Sequence, residues 1–159
     1  MKYSNIQVDF VERTMQNLSY IEQHKIENEN DFNEVTNLIN CMIGLVCYPK
    51  EATKKDFQRL NTPLGRRQYK HKYGDIYLCL DSTGKRSRTL PEIIRHMRNS
   101  ICHGNFIQGK TNSQNEIEEL RFQDFNKKGV MNFDMVITIA QLRKFVEEIS
   151  SRYLQKKHI

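Results

Sequence analysis

The sequence predicts a mainly α-helical single domain, residues 1–159, with a small antiparallel β-hairpin in its C-terminal third. Three observations predict it. Apolar residues recur at helical spacing in four separate segments. Period-two alternation is confined to "EIEELRFQDF" and "MNFDMVITI", on either side of the turn-forming "NKKG". The length of 159 residues fits one domain with a sizeable core.

Taken in order, Val8, Val11, Met15, Leu18 and Ile21 form the stripe of a first amphipathic helix over about residues 7–26, which polar "ENEND" ends. In "DFNEVTNLINCMIGLVCYPKE", Asp31 and Glu34 make a capping-box pattern, and Phe32, Val35, Ile39, Met42 and Val46 make a stripe widened by Leu38 and Leu45. Pro49 stops that second helix. Residues of about 53–88 read as an irregular basic connection rich in turn formers, within which "DIYLCL" reads as a short strand or a buried turn. Thr89 with Glu92 repeats the capping-box pattern, Pro91 suits a first turn, and Gly104 is a C-terminal stop, which bounds a third helix. The hairpin follows at about 117–138, and Leu142, Phe145, Val146, Ile149 and Tyr153 mark a last helix.

Charge is unevenly spread behind a net of +6. Residues 1–49 hold 3 Lys/Arg against 7 Asp/Glu, residues 50–98 hold 13 against 5, and residues 99–159 hold 9 against 7. A basic middle favours a polyanionic partner, although a charge run also serves simply as a solvated face. Its richest piece, "GRRQYKHKY", alternates Arg66, Arg67, Lys70 and Lys72 with Tyr69, His71 and Tyr73. Cations contact phosphates and rings stack on bases, so this interleaving suits single-stranded RNA. No apolar run approaches the roughly 20 residues of a membrane span, and the first residues lack the apolar core of a signal peptide, so a cytoplasmic location is expected. Cys41, Cys47, Cys79 and Cys102 show no metal-type spacing and are expected as reduced, mostly buried thiols.

The third helix carries the chemistry. At about 100° per residue, Leu90, Ile93, Ile94, Met97 and Ile101 fall within about 100° of arc, which sets a buried face. Opposite lie Glu92, Arg95, His96, Asn99 and His103, with Arg98 on one flank about 140° from His103. Arginines grip phosphate, and histidine exchanges a proton near neutral pH, so the set suits RNA cleavage with the ribose 2′-hydroxyl as nucleophile and no metal or other cofactor. One helix does not easily bring Arg98 and His103 onto one small target, whereas a second copy across a two-fold axis supplies the missing half. The plain alternative is that His103 caps the helix and Arg98 makes a surface ion pair.

"RNSICH", Arg98 and Asn99 followed by three residues and His103, resembles the motif of the HEPN family (higher eukaryotes and prokaryotes nucleotide-binding domain). "DFNEVTNLINCMIGLVCYPKE" followed by "LPEIIRHMRNSICHGNF" is similar to a branch of small stand-alone prokaryotic HEPN proteins on plasmids and mobile elements. The resemblance implies a helical bundle, usually a homodimer, in which two motif helices build a shared cleft for metal-independent endoribonuclease chemistry of toxin or phage-defence type. Arg98 would then stabilise phosphate charge, His103 would act as general acid or base, and Asn99 would orient the histidine or the scissile phosphate. Arg95 and His96 are placed at the cleft edge by the helical wheel alone, and Arg66, Arg67, Lys70 and Lys72 join them as expected RNA contacts. An antitoxin protein is a possible further partner. Asn105 stands where some HEPN toxins carry a tyrosine that an antitoxin modifies, which sets that control in doubt. The competing class is a non-catalytic RNA- or nucleotide-binding dimerisation module. A DNA-binding regulator is disfavoured because the helix shows no base-reading face beyond Arg95 and Asn99.

Overall fold

The computed structural model describes residues 6–24, 34–42, 44, 73–87, 89–114 and 116–157. Its elements are α1 (Ile6–Gln23), α2 (Glu34–Met42), β1 (Asp75–Cys79), α3 (Leu90–Cys102), β2 (Phe106–Gln108), β3 (Glu119–Phe125), β4 (Met131–Thr138) and α4 (Ile139–Lys157). The strands form one four-stranded sheet in the order β1-β4-β3-β2, each pair antiparallel. The fold is therefore mixed α/β, which corrects the expectation of a mainly α bundle with a small hairpin. The hairpin exists, as β3 and β4, but it is the centre of a sheet whose edges are β1 and β2. The first of them is the short strand that "DIYLCL" offered as one of two readings, but its place in the sheet, and β2 altogether, escape a pattern search for physical reasons. The register of β1 shifts between Ile76 and Leu78, which breaks its alternation, and β2 spans only 3 residues.

The chain divides into two compact units, Lys54–Phe145 and Met1–Thr53 with Val146–Ile159, so that α4 contributes to both. In the second of these, α1 packs on α2. Val11 and Leu18 of the predicted stripe are buried, as are Leu38, Ile39, Cys41 and Met42 of α2. Met15 and Ile21 are half-buried. Asp31, Phe32, Leu45, Val46 and Pro49, named for the ends and stripe of the second helix, lie outside the described residues.

In the sheet unit, alternation puts Leu120, Phe122 and Asp124 of β3 opposite Ile137, Met135 and Phe133 of β4, and all six are buried. Helix α3 packs on β3. On the other face, Arg121 grips Asp134 with two bonds, Nε to Oδ1 and Nη2 to Oδ2, each 2.7 Å. Gly74 leads into β1 with φ of 84°, and a Cβ there would sit 2.3 Å from the Val136 carbonyl oxygen, so only glycine lets β1 enter beside β4. Just before it, Tyr73 is buried edge-on against Phe145, with ring centroids 5.3 Å apart. Tyr73, the last residue of "GRRQYKHKY", is thus a core residue, not a stacking platform for bases.

One turn design recurs. In Asn126–Val130 the Asn126 amide donates to the Val130 carbonyl, Gly129 donates back to the Asn126 carbonyl, and the Asn126 side-chain oxygen accepts from the Lys128 and Val130 amides. Asp81–Lys85 repeats every one of these bonds with an aspartate in first place. Asn112 makes the same side-chain pair of bonds to the Gln114 and Glu116 amides. Asx side chains that mimic a backbone turn explain why these three short segments reverse the chain.

Candidate functional site

Helix α3 starts at Thr89, which is extended and accepts the Glu92 and Ile93 amides at its carbonyl, both 3.1 Å. The expected capping box does not close: Thr89 makes no side-chain cap, and Glu92 instead takes two bonds from Arg95, of 2.8 and 2.6 Å. Pro91 occupies the first turn as expected. At the other end, Gly104 (φ 67°) donates to Ile101 O at 3.2 Å and Asn105 donates to Ser100 O at 2.8 Å, which is the paired closure of a Schellman motif. His103 is the C-cap residue fixed inside that closure. Asn105 O then accepts from Gln123 N at 2.9 Å and Ser100 Oγ donates to Gln123 O at 2.6 Å, so the helix exit is tied to β3.

The buried face is wider than the wheel predicts. Leu90, Ile93, Ile94 and Met97 are buried and Ile101 is half-buried, but His96 and Ser100 are fully buried too, widening the arc to about 160°. The expectation that His96 stands at a cleft edge is overturned. Its ring is stacked on Phe133 at 4.9 Å and 7°, and its Nδ1–H donates to Asp124 Oδ2 at 2.8 Å. Its Nε2 lies 2.7 Å from Leu80 O and 2.8 Å from Arg95 Nη2. Arg95 is half-buried and also donates to Leu80 O at 3.0 Å, so its guanidinium is engaged by Glu92 and the end of β1.

Asp124 is the residue that sequence reasoning missed. It is 3% exposed and accepts three hydrogen bonds: from His96 Nδ1, from Asn99 Nδ2 at 2.9 Å and, at Oδ1, from the Phe125 amide at 3.0 Å. A signal was present, because Asp124 continues the inward register of Leu120 and Phe122, where an unpaired carboxylate is costly. Among the remaining motif residues only His103 is exposed, its ring without a hydrogen-bond partner among the described residues, while Asn99 and Arg98 are half-buried. Arg66, Arg67, Lys70 and Lys72 lie outside the described residues. Cys41 and Cys79 are buried and Cys102 is exposed, none of the three in a disulfide, while Cys47 lies outside the described residues. Burial pushes the Cys41 thiol up, with Glu22 adding to the effect.

Helix α3 thus carries arginine, asparagine and histidine toward its C-terminal end and is pinned from beneath to a strand of the sheet. A family model described as HEPN pEK499 p136 matches residues 1–159. The chain belongs to this HEPN family, and the plasmid-type branch it resembles in sequence fits that assignment. No curated protein and no solved structure matches it. Membership points to nuclease or RNA-binding function in general. No helix among the described residues is long and apolar enough to cross a membrane.

Proposed function

We propose that this chain is a metal-independent endoribonuclease of HEPN toxin or phage-defence type, which cleaves RNA in a cleft shared by two protomers. The observation that carries this reading is the contrast between the two histidines of α3. His96 is wholly buried and bonded, whereas His103, one turn from Asn99, is exposed with a free ring in a backbone frame fixed by the Schellman closure. In this mechanism the ribose 2′-oxygen attacks the adjacent phosphorus while its proton passes to a base, and the 5′-oxygen leaves with a proton from an acid. His103 fills one of those roles, and its counterpart on a second protomer is available for the other. Arg98 neutralises the charge that builds on the phosphoryl oxygens. The products are a 2′,3′-cyclic phosphate and a 5′-hydroxyl. Arg66, Arg67, Lys70 and Lys72 would hold the flanking RNA, and Arg95 would serve at the rim once exchanged from Glu92.

The test is incubation of the purified protein with total RNA in EDTA beside His103→Ala and Arg98→Lys. The unaltered protein should cleave and leave cyclic phosphate ends. His103→Ala should lose about 10²–10⁴-fold, as general acid–base catalysis is typically worth. Arg98→Lys should recover little of what Arg98→Ala loses, since an ammonium does not reproduce a bidentate guanidinium contact. Cleavage of a substrate with a 2′-deoxy sugar at the cut site, or strict dependence on magnesium, overturns the mechanism. Binding without any cleavage leaves the dimerisation-module reading in its place.

A further inference from the structure

We propose that Asp124 is a positioning residue, which fixes the amide of Asn99 with its nitrogen inward and its carbonyl oxygen Oδ1 turned away from the strand. The inference deepens the ribonuclease reading above and rests on it for its catalytic meaning. An ionised carboxylate only accepts hydrogen bonds. The end of Asn99 that meets Asp124 Oδ2 at 2.9 Å is therefore its NH₂ group, and the opposite end is an acceptor. Asp124 itself has no freedom to choose otherwise. His96 Nδ1–H occupies the same Oδ2 at 2.8 Å, the Phe125 amide occupies Oδ1 at 3.0 Å, and the His96 ring is held flat against Phe133. Each of these partners donates, so the carboxylate is braced by three donors in a site that is 3% exposed.

The consequence decides between two roles open to Asn99. Phosphate oxygens are acceptors, so an outward Oδ1 repels the scissile phosphate rather than gripping it. An outward acceptor instead suits a ring N–H of His103, four residues on and so on the neighbouring turn of the same face, or the ribose 2′-hydroxyl proton. Asn99 thus orients a proton donor, and Asp124 determines that it does. Replacing Asp124 by alanine removes both acceptor oxygens, including the Oδ2 that Asn99 shares with His96. Nothing then selects the inward end of Asn99, and its amide turns freely instead of holding Oδ1 toward His103.

Two measurements test this. In the first, cleavage is followed for Asn99→Ala, Asp124→Ala and the double variant. Asp124→Ala should lower kcat toward that of Asn99→Ala with KM little changed, and in the double variant the losses should not multiply, because Asp124 acts through Asn99. Losses that multiply, or an Asp124→Ala enzyme with unaltered kcat, overturn the proposal. In the second, the side-chain amide of Asn99 in the unaltered protein is observed by NMR and identified by its absence in Asn99→Ala. It should exchange slowly with water and show a nuclear Overhauser contact to the His96 ring NH. A fast-exchanging amide without that contact overturns the proposal, and this measurement stands even where Asp124→Ala does not fold. Where the unaltered protein cleaves no RNA, the ribonuclease reading falls, while the same NMR outcomes still support or overturn the hold of Asp124 on Asn99.

Discussion

His96 and His103 sit seven residues apart on one helix, about 20° apart around its axis, and yet have opposite fates. What separates them is the partner beneath: β3 supplies Asp124 under His96, whereas His103 is the exposed C-cap residue of the helix. The two histidines should therefore respond differently to replacement. His96→Leu removes the buried partner of a carboxylate and should cost about 3–5 kcal/mol of stability, the usual penalty for breaking a buried pair from one side. His103→Ala, at an exposed ring, should stay within about 0.5 kcal/mol of the unaltered protein. Urea unfolding of the two variants measures both values, and equal costs would contradict the structure. The motif itself is legible in the sequence because Arg98, Asn99 and His103 lie within six consecutive residues. The burial of His96 is not legible there, since a helical wheel knows only the helix and Asp124 is 28 residues further along the chain.

At the scale of elements, the ends of α3 follow from Pro91 and Gly104, and the β3–β4 hairpin follows from its alternation and the Asn126–Gly129 turn. The sheet around the hairpin is harder to read, because β1 pairs with β4 across some 60 residues and its register shift spoils the period. Gly74 is the weak point of that pairing. Gly74→Ala should cost about 1–3 kcal/mol for a left-handed residue with a side chain, and more for the contact with the Val136 carbonyl. A urea midpoint equal to that of the unaltered protein would show that β1 does not enter as described. The turn at Asp81 responds instead to acid. The Thr83 hydroxyl, then the Lys85 amide, hold the Asp81 carboxyl below its ordinary value of 3.8. The stability this contributes is complete above 3.8 and disappears as pH falls through the lowered value. Asp81→Asn keeps an acceptor in the turn but does not titrate, so its unfolding midpoint should fall less between about pH 5 and about pH 2.5 than that of the unaltered protein.

Across the whole molecule, the proposed cleft needs a second copy, because Arg98 and His103 diverge by about 140° on one helix. Solution scattering at micromolar concentration should report a dimer, and cross-linking from position 98 should capture position 103 of the partner. A monomer counts against the shared cleft. The basic stretch of Arg66, Arg67, Lys70 and Lys72 should act at this scale as well. Neutralising all four should weaken RNA binding and flatten its dependence on salt, by roughly one unit of slope for each phosphate that no longer meets a cation. Unchanged binding at low and high salt would make the stretch an ordinary solvated segment.

The groups that order the motif come after it in the chain. Asn99 and His96 are both held by Asp124, His96 is stacked on Phe133, and the exit of α3 is tied to Gln123. A ribosome that has finished α3 has made Arg98, Asn99 and His103 but none of these anchors. Synthesis proceeds from the N-terminus, so the nascent chain carries its motif unassembled until β3 and β4 have emerged and paired. Translation order itself thus delays the site, and a chain truncated before Gln123 carries the whole motif without the contacts of Gln123, Asp124 and Phe133.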